Sequence, residues 1–219
     1  MPSQKNLYFL GAGGNASVVA STINDINLIS KEWNVAGFFD DSPTCVFNEF
    51  FHCGSISVDT IAPYLEDPLN YFYWSLMSVK IGKDLLPKLL ALNIPINRFA
   101  TIIHPTAVIS STAKIGFGVS IHPFVSIGPD VSIGDHIHCF AQSFVGHGAN
   151  IGSFSYLANN VSVGARVQLN EGSYVGTNAA IRENVSVGPW SIIGMGSVVL
   201  NHVSPGTTVI GVPAKPFNK

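Results

Sequence analysis

The sequence predicts two structures in one chain: a small Rossmann-like α/β unit of βαβαβ type, followed by an all-β parallel β-helix. Three observations carry this. From Ile103 to Val199 an aliphatic or thiol side chain recurs at every sixth position, seventeen times in succession. Four residues after each of these comes Ala, Ser or Val, with Ile137 the one larger exception, and the residue directly after it is Gly nine times. Before residue 100 the period is absent, and short apolar runs alternate with helix-like stretches. An unbroken register of this length is not chance even in a chain that is 47% hydrophobic.

A six-residue period is the mark of short strands alternating with corners, each coil stacked on the one before. Three hexads close a triangular coil of eighteen residues, so residues eighteen apart are vertical neighbours, roughly 4.7–4.9 Å apart along the stack. The large aliphatics should point into the prism and the small residues should pack beside its corners. Glycine after the aliphatic suits a corner where positive φ or a close backbone approach would penalise a Cβ. The period does not set the handedness of the coil.

In the first hundred residues, Leu7 to Leu10 is a short apolar strand and Gly11 to Ala16 a turn. Ser17 to Ile29 reads as a helix, Val35 to Phe39 as a second strand ending in Asp40-Asp41, Tyr71 to Met77 as a third strand, and Lys83 to Leu92 as a second helix. Such a unit is about the size of one mononucleotide-binding half. The expected domains are residues 1–100 and 101–219, with the boundary between Phe99 and Thr101.

The bulk numbers exclude several classes. A net charge of −2 argues against nucleic acid as a partner. No apolar run reaches the eighteen or so residues that a membrane span needs. Only 11% of residues are charged, which suits a partner-covered surface. Cys45, Cys53 and Cys139 fit no pairing motif, and no leader-like segment precedes Leu7; both features read as a cytoplasmic protein with reduced thiols.

Gly11, Gly13 and Ala16 match the G-x-G-x-x-G/A spacing that brings backbone close to phosphates at a helix N-terminus. Asp40 follows at the end of the second strand, where an acid can bind a ribose hydroxyl. With no second half, a single nucleotide-linked ligand fits better than a dinucleotide; the alternative is that the glycines merely make a tight turn. Of seven histidines, His104 and His122 form a vertical pair that reads as a stacked ladder, and His136 and His138 flank Ile137. His147 follows an inward aliphatic by two residues, so its ring should leave the prism, where a neutral imidazole can serve as a general base.

Over nearly its whole length the chain resembles the bacterial sugar acetyltransferases related to the sialic acid O-acetyltransferases and the nucleotide-linked 4-amino-sugar N-acetyltransferases of surface-glycan synthesis. The matching features are Gly11-Ala12-Gly13-Gly14, Phe38-Phe39-Asp40-Asp41, Ile103-His104-Pro105-Thr106-Ala107, Gly146-His147 and Gly211-Val212-Pro213-Ala214-Lys215. The resemblance implies a left-handed β-helix, a homotrimer, and acetyl-CoA lying between neighbouring helices. It implies His147 as the base and the backbone N–H of Ala165 as the oxyanion donor. Tyr156, Thr177, Asn178, Gly194, Met195 and Gly196 would line the pantetheine groove, with Ala214 and Lys215 at the adenosine end. Gly13, Gly14, Asn15, Asp40 and Asp41 would hold the acceptor's nucleotide.

The departures from the family pattern are as informative. Some members carry an acid directly after the histidine, where this chain has Gly148; Asp130, eighteen residues earlier, is the expected substitute. Tyr156 stands where some relatives place a second histidine. The 74–78 loop, Trp74-Ser75-Leu76-Met77-Ser78, lacks the usual glycine and arginine and has only Lys80 and Lys83 nearby. The γ-class carbonic anhydrases share the repeat and bind zinc through an H-x4-H pair, but no two histidines here stand five apart, so no metal is expected. The expected activity is acetyl transfer from acetyl-CoA to the amino group of a nucleotide-linked aminosugar. O-acetylation of sialic acid or another glycan sugar, and a non-catalytic trimeric scaffold, are the alternatives.

Overall fold

A computed structural model describes residues 4–77 and 82–217. The chain divides into two compact units, Met1–Ile102 and Ile103–Lys219.

The first unit is built on a parallel sheet of three strands, β1 (Lys5–Leu10), β2 (Trp33–Phe39) and β3 (Asn70–Trp74), in the order β2-β1-β3. Helix α1 (Gly14–Asn27) joins the first two. Its buried apolar residues, Ala16, Val19, Ala20, Ile23 and Ile26, recur at helical spacing and pack with Leu7, Phe9, Phe38 and Tyr73. Tyr8, Phe39 and Phe72 line the other face, with Tyr64 edge-on to Tyr8 at 5.0 Å and to Phe39 at 5.1 Å. A sheet buried on both faces explains why Phe38-Phe39 is continuous instead of alternating.

Several boundaries differ from the sequence reading: β1 begins at Lys5 and β2 at Trp33, each two residues early, and the ends of α1 and β3 have local reasons. Helix α1 begins at Gly14 and ends at Asn27, whose side chain accepts from Trp33 N–H at 3.0 Å and donates to Trp33 C=O at 2.6 Å, tying the helix end to β2. Leu28 and Ile29 are left exposed. Strand β3 stops at Trp74 because the Ser75 hydroxyl turns back onto the carbonyls of Leu10 and Gly11. The second crossover is a single turn, α2 (Val58–Ile61), capped by the Ser57 hydroxyl and continued by a 3₁₀ turn, Ala62–Leu65. Helix α3 spans Gly82–Ala91. Of the residues singled out in the sequence, Ser78 and Lys80 lie outside the described residues.

The second unit is a left-handed parallel β-helix. Up to Val199 its strands are two residues long and fall into three parallel sheets, one per face of the prism. Phe144–Val145 pairs with Ser126–Ile127 below and Ser162–Val163 above, so the offset is eighteen residues. The second residue of each strand points inward. From Ile121 to Val199 all fourteen sixfold positions are buried, as are the small residues four positions on, through Val185, Ser191 and Ser197. Ile103, Ile109 and Ile115 depart from this: Ile103 is 37% exposed and the other two are half-buried against the core, because no coil lies beneath them in the prism. Ile102, its neighbour, is buried in the core of the first unit.

The corners have two separate requirements. Glycine after the aliphatic answers close approach: a Cβ on Gly116, Gly128, Gly134, Gly146, Gly152, Gly164, Gly176 or Gly188 would fall within 3 Å of the next coil. Positive φ belongs two residues later, at Asp130, His136, Gln142, Phe154, Asn160, Arg166, Asn178, Asn184 and Trp190 among others. Thr208–Ile210 extends the first face, and Lys215–Pro216 pairs with it antiparallel. Among the described residues no helix is long and apolar enough to cross a membrane.

Candidate active site

His147 sits on the corner between strands Phe144–Val145 and Asn150–Ile151. Val145 is buried in the prism, and two residues later the imidazole is exposed. Asp130, Gly148, Arg166 and Asn184 form one vertical column at this corner, all with positive φ. Arg166 grips His147 twice. Its backbone N–H donates to the His147 carbonyl at 2.9 Å, and its guanidinium Nη1 lies 3.0 Å from His147 Nε2. Arg166 Nε also donates to Asn184 Oδ1 at 2.8 Å. Because a guanidinium can only donate, Nε2 is the acceptor and the ring proton is on Nδ1.

Ala165 stacks one coil above His147, and its backbone N–H donates to no described residue. The equivalent position carries Pro123, Pro129 and Pro189 elsewhere, which shows that an amide here faces away from the ladder. Asp130 lies one coil below Gly148, whose N–H donates to Pro129 C=O at 2.9 Å. Asp130 is exposed and its backbone N–H donates to Thr112 Oγ1 at 2.9 Å. Among the described residues no carboxylate bonds the His147 ring; Arg166 does. That residue escaped the sequence reading, although it is the vertical neighbour of Gly148.

The remaining β-helix residues lie elsewhere on the prism. Thr177 and Asn178 follow strand Tyr174–Val175, and Gly194, Met195 and Gly196 follow Ile192–Ile193, so they share the corner between the first and second faces. Gly196 N–H donates to Thr177 C=O at 2.8 Å, Met195 is 81% exposed, and a Cβ on Gly196 would meet no atom within 4 Å. Tyr156 belongs to the first face, against Phe140 at 4.9 Å and Tyr174 at 5.0 Å; burial first, and Tyr174 second, push its phenol up to about 12. Ala214 packs partly buried against the core and Lys215 is exposed. One chain therefore keeps His147 and Ala165 together on one corner, and Thr177 to Gly196 on another.

In the first unit, Gly11 has φ +98°, and a Cβ there would lie 2.4 Å from Leu76 Cδ2. Ala16 is buried, as close helix-to-sheet packing demands. A Cβ on Gly13 or Gly14 would meet nothing within 4 Å. Asp40 accepts from Ala12 N–H at 3.2 Å and Ser42 N–H at 3.0 Å, so it braces the glycine loop. Asp41 accepts from Ile56 N–H at 3.0 Å and pairs with Lys88, whose hydrogen bond holds the carboxyl below its usual range. Asn15 donates to the carbonyls of Met77 at 2.9 Å and Ser75 at 3.3 Å.

His104, His122, His136 and His138 are interior groups. His122 and His136 are each pushed down to about 4, chiefly by burial, and His138 is buried with Nδ1 3.3 Å from the Ser120 hydroxyl. Among the described residues no three His, Cys, Asp or Glu side chains are grouped to hold a metal.

The family model of the PglD N-terminal domain matches residues 6–72. No curated protein matches the chain by sequence. Among solved structures, a variant of perosamine N-acetyltransferase from Caulobacter crescentus, in complex with CoA and GDP-perosamine, is 27% identical over 99% of both chains with a TM-score of 0.70. The acetyltransferase domain of PglB from Neisseria gonorrhoeae FA1090 superimposes with a TM-score of 0.81 at 23% identity, over 98% of this chain and 100% of that one. WeeI from Acinetobacter baumannii AYE gives 0.78 at 22% identity, with the same coverage. These last two share the fold. The chain thus joins a match to the PglD N-terminal domain with a left-handed β-helix, and along its whole length it is similar to a perosamine N-acetyltransferase.

Proposed function

We propose that the protein transfers acetyl from acetyl-CoA to the amino group of a nucleotide-linked 4-amino sugar. The observation that carries this reading is the end-to-end likeness, at 27% identity, to a perosamine N-acetyltransferase with CoA and GDP-perosamine bound. The exposed His147 corner agrees with it.

Acetyl-CoA supplies an acyl group already activated as a thioester. The residues proposed to line it fit such a ligand, because Gly196 leaves open space at a left-handed corner and Met195 is exposed beside it. Tyr156, Thr177, Asn178 and Gly194 complete the proposed groove, and Ala214 and Lys215 stand at its far end. His147 lies on a different corner of the same prism, so a complete site needs a second copy of the chain, and a homotrimer with one groove per interface meets that need. Gly13, Gly14, Asn15, Asp40 and Asp41 are proposed to hold the nucleotide. Gly13 and Gly14 leave room there, while Asp40 and Asp41 already serve the loop and Lys88.

In the proposed mechanism His147 Nε2 takes the proton from the acceptor nitrogen as that nitrogen attacks the carbonyl carbon. The Ala165 N–H faces the negative charge that develops on the carbonyl oxygen. The proton held at Nε2 then passes to the departing thiolate, so no covalent enzyme intermediate is needed. Asp130 is proposed to supply, from one coil below, the carboxylate that Gly148 does not. Reduced thiols and a nucleotide-linked acceptor suit the cytoplasm.

The test is CoA release from acetyl-CoA against UDP-, dTDP- and GDP-linked 4-amino sugars, with free and CMP-linked sialic acid alongside and His147→Ala in parallel. Turnover on an aminosugar nucleotide that collapses in the variant is expected. Turnover on sialic acid alone would move the assignment to O-acetylation, and acetyl-CoA binding without turnover on any acceptor would support a scaffold.

A further inference from the structure

We propose that Arg166 is the positioning residue for His147: it fixes the imidazole as the Nδ1–H tautomer and presents the lone pair at Nε2. A carboxylate partner would accept from one ring nitrogen and leave the lone pair on the other. Here the partner has donors only, so the nitrogen facing Arg166 is the one without a proton.

Local geometry explains how an arginine takes this place. Residue 148 occupies the left-handed corner directly after His147, with φ +65°, and is glycine. A Cβ there would stand 3.3 Å from Arg166 Cγ, so the bare corner lets the arginine stem lie across it and reach back to the ring. The guanidinium is anchored from the other side by Asn184 Oδ1 at 2.8 Å, and the Arg166 backbone is tied to the His147 carbonyl at 2.9 Å. Three consecutive coils thus determine the ring's orientation. The nitrogen that Arg166 meets in the free chain is also the one proposed to receive the acceptor's proton, so the guanidinium yields that position when the acceptor arrives.

The kinetic arm of the test rests on the acetyl-transfer reading, whereas the spectroscopic arm does not. Nitrogen-15 NMR of the full-length, histidine-labelled protein, recorded where the ring is neutral, reports the tautomer directly. The His147 signals are assigned by their absence in His147→Gln. The Nδ1–H form is expected in the unsubstituted protein. In Arg166→Met the balance is expected to move towards Nε2–H, with kcat down roughly tenfold, the scale of one hydrogen bond to a charged group, and KM for acetyl-CoA within about twofold. Asn184→Ala, which leaves Arg166 in place but unanchored, should move the tautomer the same way by less. An Nε2–H ring in the unsubstituted protein, an unmoved tautomer in Arg166→Met, or a moved tautomer with unchanged kcat would each overturn the proposal. If no acceptor is turned over at all, the acetyl-transfer reading fails and the tautomer shift alone decides this one.

Discussion

The amide nitrogen of Ala165 lies 2.7 Å from the point where a Cβ on Gly146 would stand. Gly146 precedes His147, and Ala165 stacks above it, so this one missing side chain lets the proposed base and the proposed oxyanion donor sit at adjacent levels of a corner. Gly146→Ala is expected to push these coils apart by several tenths of an ångström. Misplacement on that scale costs catalysis severely, so kcat should fall by at least about tenfold. The accompanying loss of stability should be about 1–3 kcal/mol, read by urea unfolding. A variant with parental kcat would place the chemistry on another corner.

Gly11 and Gly14 differ in what they have to accommodate, and two substitutions separate structural glycines from binding glycines. Gly11→Ala meets both a positive φ and Leu76, so it should destabilise the protein by about 1–3 kcal/mol. Gly14→Ala adds a methyl in open space at the first residue of α1 and should leave stability unchanged or raise it by up to about 1 kcal/mol. A nucleotide lying over the loop would meet that methyl. The expected result is a Gly14→Ala protein of full stability with a raised KM for the acceptor and an unaltered KM for acetyl-CoA. An unaltered acceptor KM would remove this face of the loop from the nucleotide site.

How much of this was legible beforehand follows from which interactions are periodic. The prism was legible because stacking forces one inward residue into every hexad, and Ile121 to Val199 obey it without a gap. The left-handed corner was not, because backbone stacking supports it whatever the residue, and Asp130, Phe154, Arg166 and Trp190 leave no shared chemical mark. His147 could be singled out by its distance from an inward aliphatic. Arg166 could not, since its partnership depends on a corner φ that turns the side chain down one coil. In the first unit the apolar strands announced themselves, whereas α2 is one turn long and too short for a period. The Asp41–Lys88 pair joins residues 47 positions apart, beyond any local pattern.

The thiols give a check on the buried core of the prism. Cys139 takes an aliphatic position in the core, where burial pushes its thiol up to about 12. Thiolate is the reactive form, so Cys139 should be inert at pH 8 for lack of both ionisation and access. Titration of the native protein with an aromatic disulfide should find two reactive thiols, Cys45 and Cys53, both partly exposed. The third should appear only on denaturation. Three rapid equivalents in the native state would mean that this coil opens on the timescale of the reaction.

Asp41 offers a prediction with a defined pH window. Its carboxyl is held low, first by the hydrogen bond from Lys88, so the stabilisation it gives is complete above the unfolded carboxylate pKa and is lost as pH falls through the folded one. The pair is substantially exposed, with side-chain accessibilities of 30% for Lys88 and 59% for Asp41, so its worth is capped at about 0.5–1 kcal/mol. Asp41→Asn should therefore lower the stability by that amount at pH 7 and match the parent protein once the pH is below the carboxylate range. The acceptor KM measured on the same variant decides the residue's second proposed role. A rise beyond a few-fold at pH 7, with Lys88→Met leaving KM alone, assigns Asp41 to the nucleotide; an equal and small effect of both substitutions makes it a tie between the glycine-loop side of the sheet and α3.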